Sequence, residues 1–438
     1  MWLDRGVSSP TETDSDWLAE PAAPDEDLTC CVVFHPERRH AGTSVRLPHN
    51  VTLELGRDSD AFGPAVLADA RLSTRHASLR RVGDAVEVVD LGSRNGVRVG
   101  SRRVARALVE AGTPFALGRM ILLPVLERPG APCDGGRLVG RSSALREVVD
   151  LMDLVARRDT TVLVVGETGT GKELVAEEIH ARSGRSGAFV PVNCSAIAPG
   201  VLQSELFGHV RGAFSGADRR RTGLVAAADG GTLFLDEIGD ASLELQKALL
   251  RLLEQSAIRP VGADRTQHID VRIVAATHRD LAAEVDAGRF RPDLLNRLYR
   301  WVIPTPALRE RPQDIPLLVS HFARRFAGQD PGWTGRVAWH LLQHRWPGNV
   351  RELEARVEAL VVLARGGPLD LAPGMAAELA PGATDASAPV SRPDRAALAR
   401  LLSERGGNMR GVATAVGVSR NTLYRWCRED GLIPDDYR

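Results

Sequence analysis

Gly166-Glu167-Thr168-Gly169-Thr170-Gly171-Lys172-Glu173 is the stretch that decides the fold. Thr161-Val162-Leu163-Val164-Val165 before it is β-branched and apolar and reads as a buried strand. Leu174-Val175-Ala176-Glu177-Glu178-Ile179 after it has helical periodicity. Strand, glycine loop and helix in that order form a phosphate cradle. The glycines let backbone N–H groups turn toward one anion, the helix N-terminus adds partial positive charge, and Lys172 can reach the β- and γ-phosphates of a nucleotide. Lys172 and Lys247 are the only lysines in a chain that otherwise carries its positive charge on arginine. Glu173 stands where Ser or Thr usually offers a hydroxyl to Mg²⁺, so the metal must be held mainly from elsewhere. A plain glycine turn would not need this lysine or this context.

Working outward, the next signals are strand ends. Gly230-Gly231-Thr232-Leu233-Phe234-Leu235-Asp236-Glu237 is apolar until it closes on two carboxylates. Asp236 can hold Mg²⁺ there and Glu237 can polarise the attacking water. Phe189-Val190-Pro191-Val192-Asn193 and Asp270-Val271-Arg272-Ile273-Val274-Ala275-Ala276-Thr277 read as further strands, and Leu243 to Leu253 as a helix. Alternation of strands and helices implies a parallel sheet with its ligand at the carboxyl ends, where Thr277 and His278 also fall.

The 438 residues suit about three domains with real cores, and 56 acidic against 56 basic residues name no partner by net charge. Cys30, Cys31, Cys133, Cys194 and Cys427 fit no metal or disulfide spacing, as expected of free thiols in a reducing, cytoplasmic setting. No apolar run approaches the ~20 residues of a membrane span, and the N-terminus lacks a signal-peptide pattern.

Residues 1–28 are acidic and aperiodic and read as a disordered tail. Over 29–128, short β-type runs (Cys31 to Phe34, Val51 to Leu55, Ala77 to Arg81, Ala85 to Val89, Val97 to Val99, Met120 to Leu126) imply an all-β sandwich or barrel. Its loops carry Gly56-Arg57, Ser73-Thr74-Arg75-His76 and Leu91-Gly92-Ser93-Arg94-Asn95-Gly96. That set resembles the forkhead-associated (FHA) domain, a phosphothreonine-peptide binder. The resemblance implies that Arg57 and Ser73 contact the phosphate, with Thr74 and Arg94 beside them. Asn95 would hold the peptide backbone and His76 would give structural support. Guanidinium, hydroxyl and amide are the donors such capture needs. Val97 stands where the family usually has Thr.

A Pro/Gly linker (129–136) leads to an ATPase segment (137–375). Within it, Gly212-Ala213-Phe214-Ser215-Gly216-Ala217 resembles the GAFTGA loop of sigma-54-dependent activators, which are AAA+ ATPases. Small residues around one aromatic make a tip that can press an apolar ring onto a partner. The resemblance continues through Phe290-Arg291-Pro292-Asp293-Leu294-Leu295-Asn296-Arg297-Leu298 and Trp346-Pro347-Gly348-Asn349-Val350-Arg351-Glu352-Leu353. It implies that Arg291 and Arg297 are fingers acting on a neighbour's ATP, so that hydrolysis needs a ring, expected to be hexameric. It also implies that Arg351 is the sensor in a helical lid and that Asn193 is the switch holding Glu237. Ser215 replaces the usual Thr, Val210 a common acidic residue, and His278 the usual Asn of the first sensor. After a linker (376–392), residues 393–438 resemble the Fis-like helix-turn-helix of the same family, with helices expected over Arg395 to Ser403, Asn408 to Val416 and Arg420 to Arg428. Ser419, Arg420, Asn421, Thr422 and Arg425 would face the major groove of enhancer DNA. The fold expected is an FHA sandwich, an α/β AAA+ ATPase with helical lid, and an all-α helix-turn-helix. The function implied is ATP- and Mg²⁺-dependent remodelling of sigma-54 RNA polymerase, gated by a phosphothreonine partner. Two rivals compete with it: a phosphopeptide-binding DNA adaptor or repressor with a decayed ATPase, and an AAA+ remodeller of another substrate.

Overall fold

The computed structural model describes residues 26–127, 135–196, 202–213, 219–372 and 395–405, with seven further positions between 409 and 432. The chain forms two compact units, one ending at Leu379 and the other beginning at Ala380.

The first unit opens with ten strands: β1 (Asp27–Phe34), β2 (Ser44–Arg46), β3 (Thr52–Leu55), β4 (Ala77–Val82), β5 (Ala85–Asp90), β6 (Val97–Val99), β7 (Arg102–Val104), β8 (Arg106–Glu110), β9 (Phe115–Leu117) and β10 (Met120–Glu127). They pair as a six-stranded sheet, β2-β1-β10-β9-β6-β7, and a four-stranded sheet, β3-β4-β5-β8. Leu28, Val32, Leu79, Val88, Phe115 and Leu122 fill the core between them. All six strands expected from the sequence form. β2, β7, β8 and β9 were not expected, because they are short or carry arginines that hide the period-two pattern.

The ATPase part runs α1 (Ser143–Ala156), β11 (Val162–Val165), α2 (Lys172–Ser183), β12 (Phe189–Asn193), α3 (Leu202–Phe207), β13 (Gly208–His209), β14 (Arg221–Thr222), α4 (Leu224–Ala227), β15 (Thr232–Asp236), α5 (Leu243–Gln255), β16 (Ala257–Ile258), β17 (Gln267–His268), β18 (Arg272–Thr277), α6 (Leu281–Asp286), α7 (Pro292–Leu298) and β19 (Trp301–Pro304). The main sheet is parallel in the order β12-β15-β18-β11-β19. Register sets Asn193 beside Asp236 and Val165 beside Thr277, so the carboxyl ends of four strands form one level edge. Helices open on polar caps: Ser242 accepts from the Leu245 N–H of α5, and Asp280 from the Ala282 and Ala283 N–H groups of α6.

The lid follows as α8 (Ile315–Ala327), α9 (Gly335–Gln343) and α10 (Asn349–Ala364) around fully buried Trp346. The indole N–H of Trp346 donates to the Leu341 carbonyl at 3.0 Å. The second unit contains α11 (Arg395–Glu404), and Leu398, Leu402, Met409, Val412, Leu423 and Trp426 share a small core. Met409, Val412 and Val416 are helical, as are Leu423, Trp426 and Cys427, within the two further helices expected. Phe214, Ser215, Gly216 and Ala217, and the candidate DNA readers Ser419, Arg420, Asn421, Thr422 and Arg425, lie outside the described residues. Among the described residues no helix is long and apolar enough to cross a membrane.

Candidate functional site: a nucleotide cavity and a second loop cluster

The P-loop leaves β11 at Val165 and enters α2 at Lys172, with Gly171 in the left-handed region at φ 103° as the helix N-cap. Gly169, at φ 80°, is required twice over. A Cβ there would lie 2.3 Å from the Gly348 carbonyl oxygen of the lid, and the Val350 N–H already donates to the Gly169 carbonyl at 3.0 Å. Asn349 donates to the Thr168 carbonyl (3.0 Å) and Glu167 (3.1 Å), while Arg309 grips Glu167 bidentately at 2.7 and 2.6 Å. Thr170 meets Thr305 hydroxyl to hydroxyl at 2.8 Å. Glu167, Thr168 and Thr170 therefore brace the loop against the lid and β19.

Lys172 is buried, and its ammonium donates to the Gly166 and Glu167 carbonyls at 3.1 and 3.2 Å. Burial pushes it below the usual lysine range, against the opposing pull of Glu237 and Asp236. Asp236 ends β15, and burial followed by the neighbouring Glu237 charge raises its carboxyl above the usual range. Glu237 sits at φ 51°, a left-handed conformation rare for a non-glycine residue, and lies 3.8 Å from the Lys172 ammonium. These groups line one cavity of about 800 Å³ together with Thr168 to Leu174, Asn193, and Arg351 and Val350 of α10. Glu173 is exposed at its edge and Thr277 is fully buried, its carbonyl accepting from the Gly166 N–H at 3.2 Å.

Two partnerships were not visible in the sequence. Glu237 Oε2 meets His278 Nδ1 at 2.6 Å, while Asn193 Oδ1 accepts from the Ser195 amide (3.0 Å) and hydroxyl (2.7 Å). The Oδ1 of Asn193, the residue expected to hold Glu237, is thus taken by Ser195, and among the described residues the side chain bonded to the Glu237 carboxylate is His278. Both neighbours of β15 bring a polar side chain to its carboxyl end, Asn193 from β12 and His278 just past β18. Helix α8 also lines the cavity through Leu318, His321, Phe322 and Arg325, a contribution that no motif announces.

Arg291 caps the N-terminus of α7, Arg297 lies in its last turn, and neither lines this cavity; Arg291 donates to Asp293 at 3.0 Å and Arg297 lies 3.6 Å from Glu254. Gly212 and Ala213 leave the short hairpin of β13 and β14, where Gly208 pairs with Thr222.

The Sigma-54 interaction domain profile matches residues 138–304, and that of the AAA+ ATPase lid domain matches 309–387. Transcriptional regulatory protein ZraR of Escherichia coli K12 is 37% identical over 433 residues, covering 91% of this chain and 96% of that protein. The chain belongs to the sigma-54-dependent transcriptional regulators. It is an AAA+ ATPase with a helical lid. NtrX of Brucella abortus, solved in complex with ATP, resembles this regulator with a TM-score of 0.51 and 34% identity, covering 68% of this chain and 70% of that one. The Nif-specific regulatory protein of Klebsiella oxytoca is 48% identical over 258 residues, 56% of this chain and 49% of that protein.

The regulator's second cluster lies on the sandwich. The Arg57 N–H donates to the Ser73 carbonyl (2.9 Å), the Arg94 N–H to the Ser73 hydroxyl (3.1 Å), and the Asn95 amide to the Arg71 carbonyl (2.6 Å). Arg57, Thr74, Arg94 and Asn95 are exposed. Gly56 permits the approach, since a Cβ would lie 1.8 Å from the Thr74 carbonyl oxygen. Fully buried His76 accepts from the Ser73 N–H through Nδ1 (3.1 Å) and faces the Gly96 carbonyl through Nε2 (3.2 Å), which makes Nε2 the protonated nitrogen. The profile matching residues 38–126 is that of the cytoplasmic domain of an inner membrane component of T3SS.

Proposed function

We propose that the chain activates transcription by coupling ATP hydrolysis in a hexameric ring to remodelling of sigma-54 RNA polymerase holoenzyme. It would bind enhancer DNA through residues 393–438 and act in the cytoplasm under control of a phosphothreonine partner. The observation that carries this reading is the convergence of Lys172, Asp236, Glu237 and Arg351 on one cavity in a chain of this family. Lys172 neutralises the β- and γ-phosphates. Glu237 has one oxygen fixed by His278, and the other, facing Lys172, is left to polarise water. Two carboxylates crowded at a half-buried strand end suit a hard cation, and Asp236 would hold Mg²⁺, which neutralises phosphate charge when bound. Arg291 and Arg297, which line no part of their own cavity, would serve a neighbour's ATP. The loop cluster of Arg57, Ser73, Thr74, Arg94 and Asn95 presents the charge-assisted donors that a phosphothreonine needs.

Two measurements test the output and the input. Phe214→Ala should keep unstimulated ATPase within about twofold and lose open-complex formation; equal transcription from mutant and wild type removes sigma-factor contact by this loop. Titration calorimetry of the full chain against phosphothreonine peptide libraries should find a binder that Arg57→Ala loses by at least about tenfold. A library without any phosphate-dependent binder leaves the sandwich without this role.

A further inference from the structure

The sheet carrying β1 and β10 is apolar on both faces. Along β1, Leu28, Cys30 and Val32 enter the sandwich core, whereas Cys31, Val33 and Phe34 enter a different cluster shared with the lid. β10 repeats the arrangement, with Met120 and Leu122 inward and Ile121, Leu123 and Val125 lidward. Strand residues alternate between faces, so a run buried at every position needs a layer on each side. The second layer is α8 and α9. The rings of Phe34 and Trp333 meet edge to face at 6.3 Å, and a Cβ on Gly335 would lie 3.1 Å from the Phe34 ring. Polar contacts close the rim: Arg38 donates to the Asp330 carbonyl at 3.0 Å and Arg141 to the Gly42 carbonyl at 3.1 Å. Helix α8 has a second duty, because Leu318 and Phe322 belong both to this shared core and to the wall of the nucleotide cavity.

We infer that the lid-facing side of β1 and β10 is a positioning surface for the nucleotide site: the sandwich is a fixed layer of the lid that seats α8 against ATP. Undocking it would put Cys31, Val33, Phe34, Ile121, Leu123 and Val125 into water at once, and would strip one side from the cluster that holds Leu318 and Phe322. Nucleotide-driven motion of the lid therefore carries the sandwich with it, and a signal at the sandwich reaches the ATPase by leaning on α8 rather than by release. This goes beyond the proposed function and holds whether or not the loops take phosphothreonine.

Adjacent native cysteines supply the test. Cys30 is sealed in the sandwich core and Cys31 in the lid interface, so alkylation of Cys30 requires opening of the sandwich, while Cys31 reports undocking as well. Burial pushes the Cys31 thiol up to about 12 and Cys30 well above its ordinary value, so both react only from opened states. Iodoacetamide pulses on full-length Cys30→Val and Cys31→Val, read by peptide mass spectrometry, compare the remaining thiols without nucleotide, with ADP and with ATPγS. Cys31 should label no more than about threefold faster than Cys30 in each state. Labelling of Cys31 at least about tenfold faster in any state overturns the inference. A second arm follows ATP: Leu123→Asp should weaken ATP binding by about tenfold, and Leu123→Met should restore it. If Leu123→Asp does not fold, Leu123→Ala takes its place with an expected weakening of about threefold. A folded variant that binds ATP as wild type does also overturns it.

Discussion

On the proposed reading Lys172 binds the nucleotide and Glu237 activates water, and substitution should separate the two parts. Lys172→Ala should abolish nucleotide binding, whereas Glu237→Ala should bind ATP normally and lose about 10² to 10⁴ in turnover; a fluorescent nucleotide titration beside a phosphate-release assay reads both. Turnover at the normal rate in Glu237→Ala would refute its role. Asp236 has a carboxyl raised by burial and by Glu237, so the nucleotide-free fold works against its charged form. Asp236→Asn removes that charge and should raise the melting temperature of the nucleotide-free protein while abolishing Mg²⁺-dependent hydrolysis. The sign follows from linkage: a raised carboxyl pKa favours the protonated fold, and that advantage is lost as pH rises through it. Lys172, Asp236 and Glu237 were legible in the sequence because their motifs are local. The bond from His278 to Glu237 was not, because it depends on β18 lying beside β15, which no local pattern encodes.

At the scale of elements, the P-loop is sealed by the lid. Gly169 touches the turn before α10, and any side chain there meets the Gly348 carbonyl as well as an unfavourable positive φ. Gly169→Ala should therefore weaken ATP binding by about tenfold or more with little change in far-UV circular dichroism; unchanged affinity would show that the lid does not close on this residue. Strands β11, β15 and β18 were readable as apolar runs, the last two ending in polar residues. β19 was not, since Trp301-Val302-Ile303-Pro304 is too brief to stand out beside proline. The double-faced burial of β1 and β10 was present in the sequence as unbroken apolar runs, Cys30 to Phe34 and Met120 to Leu123. Such a run states that two layers exist without saying which element supplies the second. Only the structure shows that the lid does.

The molecule as a whole must assemble to work if Arg291 and Arg297 serve a neighbour, and complementation checks this. Arg291→Ala and Glu237→Ala, each expected to be inactive alone with losses of about 10³ to 10⁵ for the finger, should regain part of their ATPase when mixed, because one interface then holds both intact groups. Verified mixed rings without any recovery would assign Arg291 another role. The most direct trial of coupling between this engine and transcription is promoter melting. Purified full-length protein, sigma-54 RNA polymerase holoenzyme and a supercoiled sigma-54 promoter with its enhancer would be probed by permanganate with and without ATP. The account predicts thymine reactivity at the start site with ATP and wild-type protein, and none with Glu237→Ala. Brisk ATP hydrolysis by wild-type protein on a promoter that stays closed would contradict it.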